Sequence, residues 1–545
     1  MRRTTLVLLL VVALLPTFPR RLPAQGENAI ALAPGTLRIS FVPDWTRWNT
    51  RWGTGTPGFT DGSLEPLGVD FSADTSGVFG ANRLPFLSPA ENELRGLTGL
   101  AGFAINLGRT TTVLNASVRV MPISLELALS RRLVVSATVP LVRSRVEAFF
   151  TVDTASALLG NVGWNPAYWD PLLAATFRDQ VDSALVALLR EATQGPPSLQ
   201  AQAQAAYDSL RPLLCPLYGL AAGAPPSTAS PCFGIAPQVP TPFLPLEGSE
   251  AGDSLTLRVQ RGQQSYAALA AQYAAMGITL PPFTEGYALP DSVLDTLGFR
   301  RLFSDPLGPL AGDSLTTVVR TRLGDVETGL TLQLADRRRF RAQLGVLLRL
   351  PTGYVDSKDN FIDLGTGDHQ TDVELSARTD LVLGPQFWIH AGGRFGAQLE
   401  DELERRVTQA NFPLVPPSST ARLRRDLGDY VQVDVVPTWQ LDDAFAVALG
   451  WHYYHQAPAR FSYVDPADEA RIGLPASVLE QETGLTAMRV GVGITFSTLA
   501  RYAAGRASLP YTVTASYQNT FGGDGGAAPK ASLFRLVMRG YLSLW

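Results

Sequence analysis

Between residues 325 and 399 the chain alternates apolar and polar residues four times over, and few folds accept that pattern. Val326, Thr328, Leu330, Leu332 and Leu334 alternate with Asp325, Glu327, Gly329, Thr331 and Gln333. Phe340, Ala342, Leu344, Val346, Leu348 and Leu350 alternate with Arg341, Gln343, Gly345, Leu347 and Arg349. Val373, Leu375, Ala377, Thr379, Leu381 and Leu383 alternate with Asp372, Glu374, Ser376, Arg378 and Asp380. Beyond Gly384-Pro385, Ile389, Ala391, Phe395, Ala397 and Leu399 oppose His390, Arg394, Gln398 and Glu400. A period of two is a β-strand with one apolar face. Strands of soluble sandwiches run about 5–6 residues. These are longer, near the roughly 9–11 residues that a bilayer-spanning strand needs. Short turns at 335–338 and 384–386 alternate with long loops at 353–370 and 400–428, as in a membrane barrel.

Residues 1–24 have an arginine-bearing start, an apolar run from Leu6 to Leu15 and a small residue, Ala24, at a cleavage position. That is the pattern of a secretory signal peptide. No later stretch reaches about 20 uninterrupted apolar residues, so membrane insertion would have to use strands. Apolar residues make up 46% of the chain and charged residues 17%, a balance suited to a barrel with lipid outside. The formal charge is −4, and losing Arg2, Arg3, Arg20 and Arg21 makes the mature chain more acidic, which argues against nucleic acid as a partner.

Further strands are expected over 37–48, 110–129, 133–148, 430–441, 444–455, 485–499, 509–521 and 531–545, which makes about twelve. Pro122 and Pro140 lack an N–H, so each implies a bulge or local break in its strand. With the short turns on one side, both chain ends fall on that side too, as an even-stranded barrel requires. Phe387, Trp388, Trp439 and Phe445 sit beside short turns, and Trp451, Tyr453, Tyr454, Tyr517 and Phe521 near long loops, the places of two interfacial girdles. Leu536, Met538, Leu542 and Leu544 lie on the parity opposite to Trp545, so the last residue flares out of register or the strand is bulged.

The strand pattern stops over 153–313. Three segments there show helical spacing, the first opened by Asp170-Pro171. Charges at Arg178, Asp179, Asp182, Arg190 and Glu191 argue against a spanning role for it. Cys215 and Cys232 lie close together in a Pro/Gly/Ser-rich part of this insertion, and in an oxidising envelope a local disulfide is expected, two free thiols being the alternative. The division expected is a signal peptide (1–24), first barrel strands (25–152), a helical loop insertion on the extracellular side (153–313) and the remaining strands (314–545). Loops of that length are usually functional.

No nucleotide-binding, zinc-hydrolase or serine-hydrolase signature occurs. Ser376 and His390 can be placed on adjacent strands facing one way, but two polar lumen residues explain them more simply than catalysis, so no enzyme is expected. Asp356, Asp359, Asp363, Asp368 and Asp372 are oxygen ligands of the type calcium uses, yet their spacing matches no EF-hand loop. A solvated hairpin loop is the reading adopted, with no metal and no cofactor. The inward-facing set would be Asp325, Glu327, Arg341, Arg349, Glu374, Arg378, Asp380, His390, Arg394, Asp434 and Arg489. Charges inside a barrel must be paired or hydrated, so these either close the lumen as an ion-pair network or line a wet path. Trp451, Tyr453 and Tyr454 would rim the mouth.

The phrases LGDVETGLTLQL, LGVLLRLPTG and FIDLGTGDHQTDVELS, with VSATVPLVRS upstream, resemble the outer-membrane proteins grouped with phenol meta-cleavage pathways, relatives of the long-chain fatty acid transporters. The resemblance covers roughly residues 110–150 and 313–545. It implies an all-β transmembrane fold in the bacterial outer membrane, an antiparallel barrel of about 12 strands, and passive uptake of hydrophobic or aromatic small molecules. Partners would be outer-membrane lipid and that cargo. The other reading left open is a binding or structural surface barrel whose insertion recognises a partner. The fatty-acid branch has an N-terminal plug, whereas an Asn165-Pro166-Ala167 triplet similar to one in that plug lies here in the insertion.

Overall fold

A computed structural model describes residues 32–53, 59–60, 62–74, 76–153, 160–218, 231–232, 241–313, 315–409, 411–481, 483–525 and 528–544. The expected signal peptide and Trp545 lie outside them. The chain divides into two compact units. One comprises the residues up to Phe71, Thr112–Phe150 and Leu310–Trp545, and the other Ser72–Thr111 and Thr151–Pro309.

The first unit is built on a closed antiparallel barrel of twelve strands. In chain order they are β1 (Thr36–Phe41 and Asp44–Trp48), β2 (Arg109–Ala128), β3 (Leu133–Asp153), β4 (Val318–Leu323 and Glu327–Arg337), β5 (Phe340–Arg349), β6 (Asp372–Val382), β7 (Phe387–Gln398), β8 (Tyr430–Gln440), β9 (Phe445–Gln456), β10 (Leu485–Ser497), β11 (Tyr511–Gly525) and β12 (Ser532–Ser543). Each pairs with its neighbour in sequence, and β1 closes the ring, Leu37 registering with Leu127 on one side and Leu542 on the other.

The interruptions expected at the two prolines fall elsewhere. β2 runs through Pro122 and β3 through Pro140 without a break. The ladder opens in the neighbouring strand instead. Val42 and Pro43 leave the sheet opposite Pro122, whose carbonyl accepts from Val42 N at 3.1 Å. Gly324, Asp325 and Val326 bulge opposite Pro140, whose carbonyl accepts from Gly324 N at 2.9 Å. A proline removes one ladder donor, and the partner strand can absorb the loss by bending. β12 keeps one register against β11 from Ser532 to Gly540, with Leu536 and Met538 on a single face.

Burial is inverted relative to a water-soluble protein. Leu330 and Leu375 are both 52% exposed, whereas Asp372 and Asp434 are fully buried. Alternation puts the apolar set outside and the polar set inside, and a one-residue slip would turn every charge outward. Aromatic rings collect at both ends of the outer face. Phe387 and Trp439 meet at 4.7 Å and Phe445 and Phe496 at 5.1 Å near short turns, with Trp45 and Phe534 at 5.4 Å toward the other end. The short turns share one side with the start of β1 and the end of β12: Gly35 N donates to Ala128 O, Leu544 N donates to Gly35 O, and Arg501, between β10 and β11, holds Asp443 of the β8–β9 turn at 2.8 Å.

The second unit is mainly helical, with α1 (Ser88–Thr98), α2 (Ala175–Gln194), α3 (Pro197–Tyr218), α4 (Glu250–Ala274) and α5 (Thr296–Ser304). Ser249 caps α4 and Asp295 caps α5, each accepting from a first-turn amide. Phe79, Phe177, Phe299, Leu185 and Leu188 are buried in it. Cys215 and Cys232 are disulfide-bonded, with Cα atoms 5.2 Å apart. Ser72–Thr111, most of the connection between β1 and β2 with the first three residues of β2, belongs to this unit together with the insertion.

Candidate functional site

Even-numbered residues of β6, β7, β8 and β9 point inward, so the strands deliver acids, bases and amides into one lumen. Arg349, the last residue of β5, ties a knot of carboxylates together at the long-loop end of that lumen. Its Nε lies 3.4 Å from Glu327, its Nη1 bonds Asp372, and its Nη2 lies 4.0 Å from Glu374. Glu374 also receives Arg394 at 3.3 Å and the Tyr430 hydroxyl, which donates at 2.7 Å. Two imidazole–carboxylate pairs lie farther along the strands toward the short turns, His390 Nδ1 at 2.8 Å from Asp380 and His452 Nδ1 at 2.6 Å from Asp434. Arg341 is partly exposed, 3.3 Å from Asp336 and 4.0 Å from Asp380. Arg489 is buried and registers with His452.

A cavity of about 110 Å³ adjoins the knot, lined among others by Asp44, Glu126, Glu327, Arg378, Arg394 and Arg535. Asp44 and Arg535 form a buried two-pronged pair at 2.6 and 2.7 Å, joining the first strand to the last. This pair and Tyr430 were not expected from the sequence, and Asp372, placed on the polar face of its strand, was left out of the inward set. Asp372 has the parity of Glu374 and was legible. The Asp44–Arg535 pair required barrel closure to be known.

Asp325 does something different from its neighbours. It accepts from Gly353 N at 2.7 Å, and a Cβ on Gly353 would lie 2.3 Å from the Gly367 Cα. Three of the quoted phrases, GDVETG, PTG and GTGDH, therefore meet at one point where only glycines fit. This folds the loop 353–370 inward, which corrects the expectation of a solvated hairpin. Asp363 and Gln370 are fully buried, Arg320 pairs with Asp363 at 3.2 Å, Arg406 with Asp359 at 2.9 Å, and Arg405 with Asp356. The inward Ser144 of β3 donates to Leu364 O at 2.7 Å. The aspartates of this loop are thus spent on arginines and backbone amides, and among the described residues no group of three possible metal ligands gathers.

Above the lumen the remaining long loops build a small sheet of Asp401–Arg406, Thr420–Asp426 and Arg460–Tyr463. Leu423, Phe461, Val478 and Leu479 from these loops bury themselves against Tyr430, Tyr454 and Leu485 at the inner strand ends. The result is an apolar roof, tied to the polar knot through the Tyr430 hydroxyl.

The three aromatics expected to rim a mouth do not share a face. Trp451 and Tyr453 stack on the outer surface with ring centroids 6.2 Å apart, whereas Tyr454 is buried in the roof against Tyr430. Adjacent residues of a strand must point oppositely, so Tyr453 and Tyr454 could never act together. Ser376 registers with Arg394 and Gly345, while His390 is engaged by Asp380, so the two do not meet.

No family model matches the chain, and no curated protein matches it. Among solved structures, an outer membrane channel from Pseudomonas putida F1 is 8% identical, with 95% of this chain and 100% of that chain covered and a TM-score of 0.41. The Ralstonia pickettii toluene transporter TbuX is 10% identical, covering 95% and 93%, with a TM-score of 0.28. A Pseudomonas aeruginosa FadL homologue is 7% identical, covering 94% and 90%, with a TM-score of 0.25.

Proposed function

We propose that this chain is a roofed outer-membrane channel that admits hydrophobic or aromatic small molecules. The observation that carries the membrane placement is the inverted burial of a closed twelve-strand barrel, apolar outside and charged inside. The cargo class rests on the sequence resemblance and on the roof. Its rings and aliphatic side chains favour apolar guests, while hydroxyls such as Tyr430 hold the polar lumen beneath. The lumen carries both signs of charge in close pairs, which disfavours a strongly ion-selective pore. Loop-built cores are also where chains open most readily, so the roof is the moving part.

The test compares uptake of aromatic and long-chain hydrophobic compounds by cells carrying the full-length protein, a Tyr454→Ala variant and an empty vector. Full-length protein should raise uptake, and the variant should change its rate while leaving the barrel folded. Equal uptake in all three, with the barrel verified in the membrane, would remove transport of those compounds and favour the partner-binding reading.

A further inference from the structure

The outer face of the barrel carries a cationic hollow that the lumen does not use. A depression of about 550 Å³ is lined by Arg47 of β1, Arg119 of β2, Arg143, Arg145 and Glu147 of β3, and Lys530 just before β12. On β2, Arg119 has the parity of Ile123, Leu125 and Leu129, and on β3, Arg143 and Arg145 have that of Val139 and Leu141, all exposed apolar residues. The cations therefore point toward the barrel's surroundings. Thr138 Oγ1 donates to Ser124 Oγ at 2.9 Å, and Leu129 N donates to Leu133 O. Extending that register sets Arg119 opposite Arg143 and Ser117 opposite Arg145.

Their height follows from strand geometry. A strand rises about 3.3 Å per residue and tilts about 35–45° in such barrels, which gives roughly 2.5 Å of depth per residue. Arg119 is ten residues from Leu129, and Arg143 ten from Leu133. Both lie about 25 Å above the short-turn end, the height of the apolar band of a membrane barrel. The hollow thus begins where hydrocarbon ends, on the long-loop side.

Its charge is not balanced by the protein. Arg145 lies 2.8 Å from Glu147, and among the described residues Arg47, Arg119, Arg143 and Lys530 form no ion pair. Like charges placed opposite one another across a ladder are destabilising. Guanidinium forks match phosphate geometry bidentately. We infer that this hollow binds the phosphorylated sugar headgroup of an outer-leaflet glycolipid, whose acyl chains lie along Ile123, Leu125, Val139 and Leu141 below. The inference rests on the outer-membrane placement proposed above.

The experiment uses full-length protein in phosphatidylcholine nanodiscs and titrates three probes: bisphosphorylated lipid A, the same lipid with its phosphates removed, and inorganic phosphate. Bisphosphorylated lipid should bind at least tenfold tighter than the dephosphorylated form. The double variant Arg119→Gln/Arg143→Gln should lose that preference, and exposed Arg424→Gln should keep it. Should the double variant not fold, Lys530→Gln and the wild-type comparison of the two lipids decide. Equal binding of both lipids, or an unchanged preference in the folded double variant, would overturn the site. Displacement of the lipid by equimolar inorganic phosphate would mark a free-anion site and overturn the glycolipid assignment. Failure of the wild-type protein to enter the bilayer at all would instead overturn the membrane placement, and this site with it.

Discussion

The lumen and the outer hollow are two faces of one barrel wall, yet they treat arginine in opposite ways. Inside, Arg349 is enclosed by Glu327, Asp372 and Glu374, and Arg535 by Asp44. Outside, Arg119, Arg143 and Arg47 crowd one another with Glu147 as the carboxylate of the group. A buried charge loses its water and must be matched by the protein, at a penalty of several kcal/mol if it is not. A charge at the rim of the bilayer keeps its water or borrows an anion from its surroundings. The protein's own carboxylates therefore concentrate where no external counter-ion is needed.

The largest contrast between the two regions should come from removing one cation from each. Arg349→Met would leave three carboxylates in the lumen facing one another and destabilise the barrel by about 3–5 kcal/mol. Arg143→Met, outside, should leave stability in urea titration close to unchanged. Comparable losses in both variants would erase the distinction. A smaller effect is expected for placing a cation on the apolar outer face. Leu344→Arg, at mid-height of β5, should cost about 2–4 kcal/mol in vesicle folding equilibria, and no cost there would mean the outer face is not in lipid. Smaller again is Gly353→Ala, whose new methyl would press on Gly367, at about 1–3 kcal/mol, together with slower folding-in of the loop 353–370 as read by protease protection. The smallest effect concerns pH at a short turn. Hydrogen bonds and charge from Arg501, with the charge of Arg506, hold the Asp443 carboxyl below its ordinary range. A depressed folded value contributes stability above the unfolded value of about 3.9, lost as pH falls through the lower folded one. Proteolysis of the 498–510 segment should accelerate only in that acidic window, and Asp443→Asn should abolish the change. The pair is exposed, so the effect is slight.

Much of the barrel was legible in the residue pattern. Glu327, Glu374, Asp380, His390, Asp434 and Arg489 were placed inward by parity, and they are all buried. The parity argument works because a one-residue error would cost several charges in hydrocarbon at once. It stops at strand ends. The aspartates of the loop 353–370 looked solvated because their arginines come from elsewhere in the chain, Arg320 ahead of them and Arg405 and Arg406 behind, and no local spacing announces such pairs. Trp451, Tyr453 and Tyr454 were grouped by proximity although their parity already divided them.

What the sequence determined by itself was the inventory of barrel strands, the inside and outside of the four strands between residues 325 and 399, and the side on which the short turns lie. All three follow from a period of two and from alternating connection lengths, which are local properties. Tertiary structure alone decided which inward charges meet across the lumen, where the ladder yields opposite Pro122 and Pro140, and that the long loops fold into a roof. Those outcomes depend on ring closure, which brings Asp44 beside Arg535 across nearly the whole chain, and on packing between loops whose contacts have no period to read.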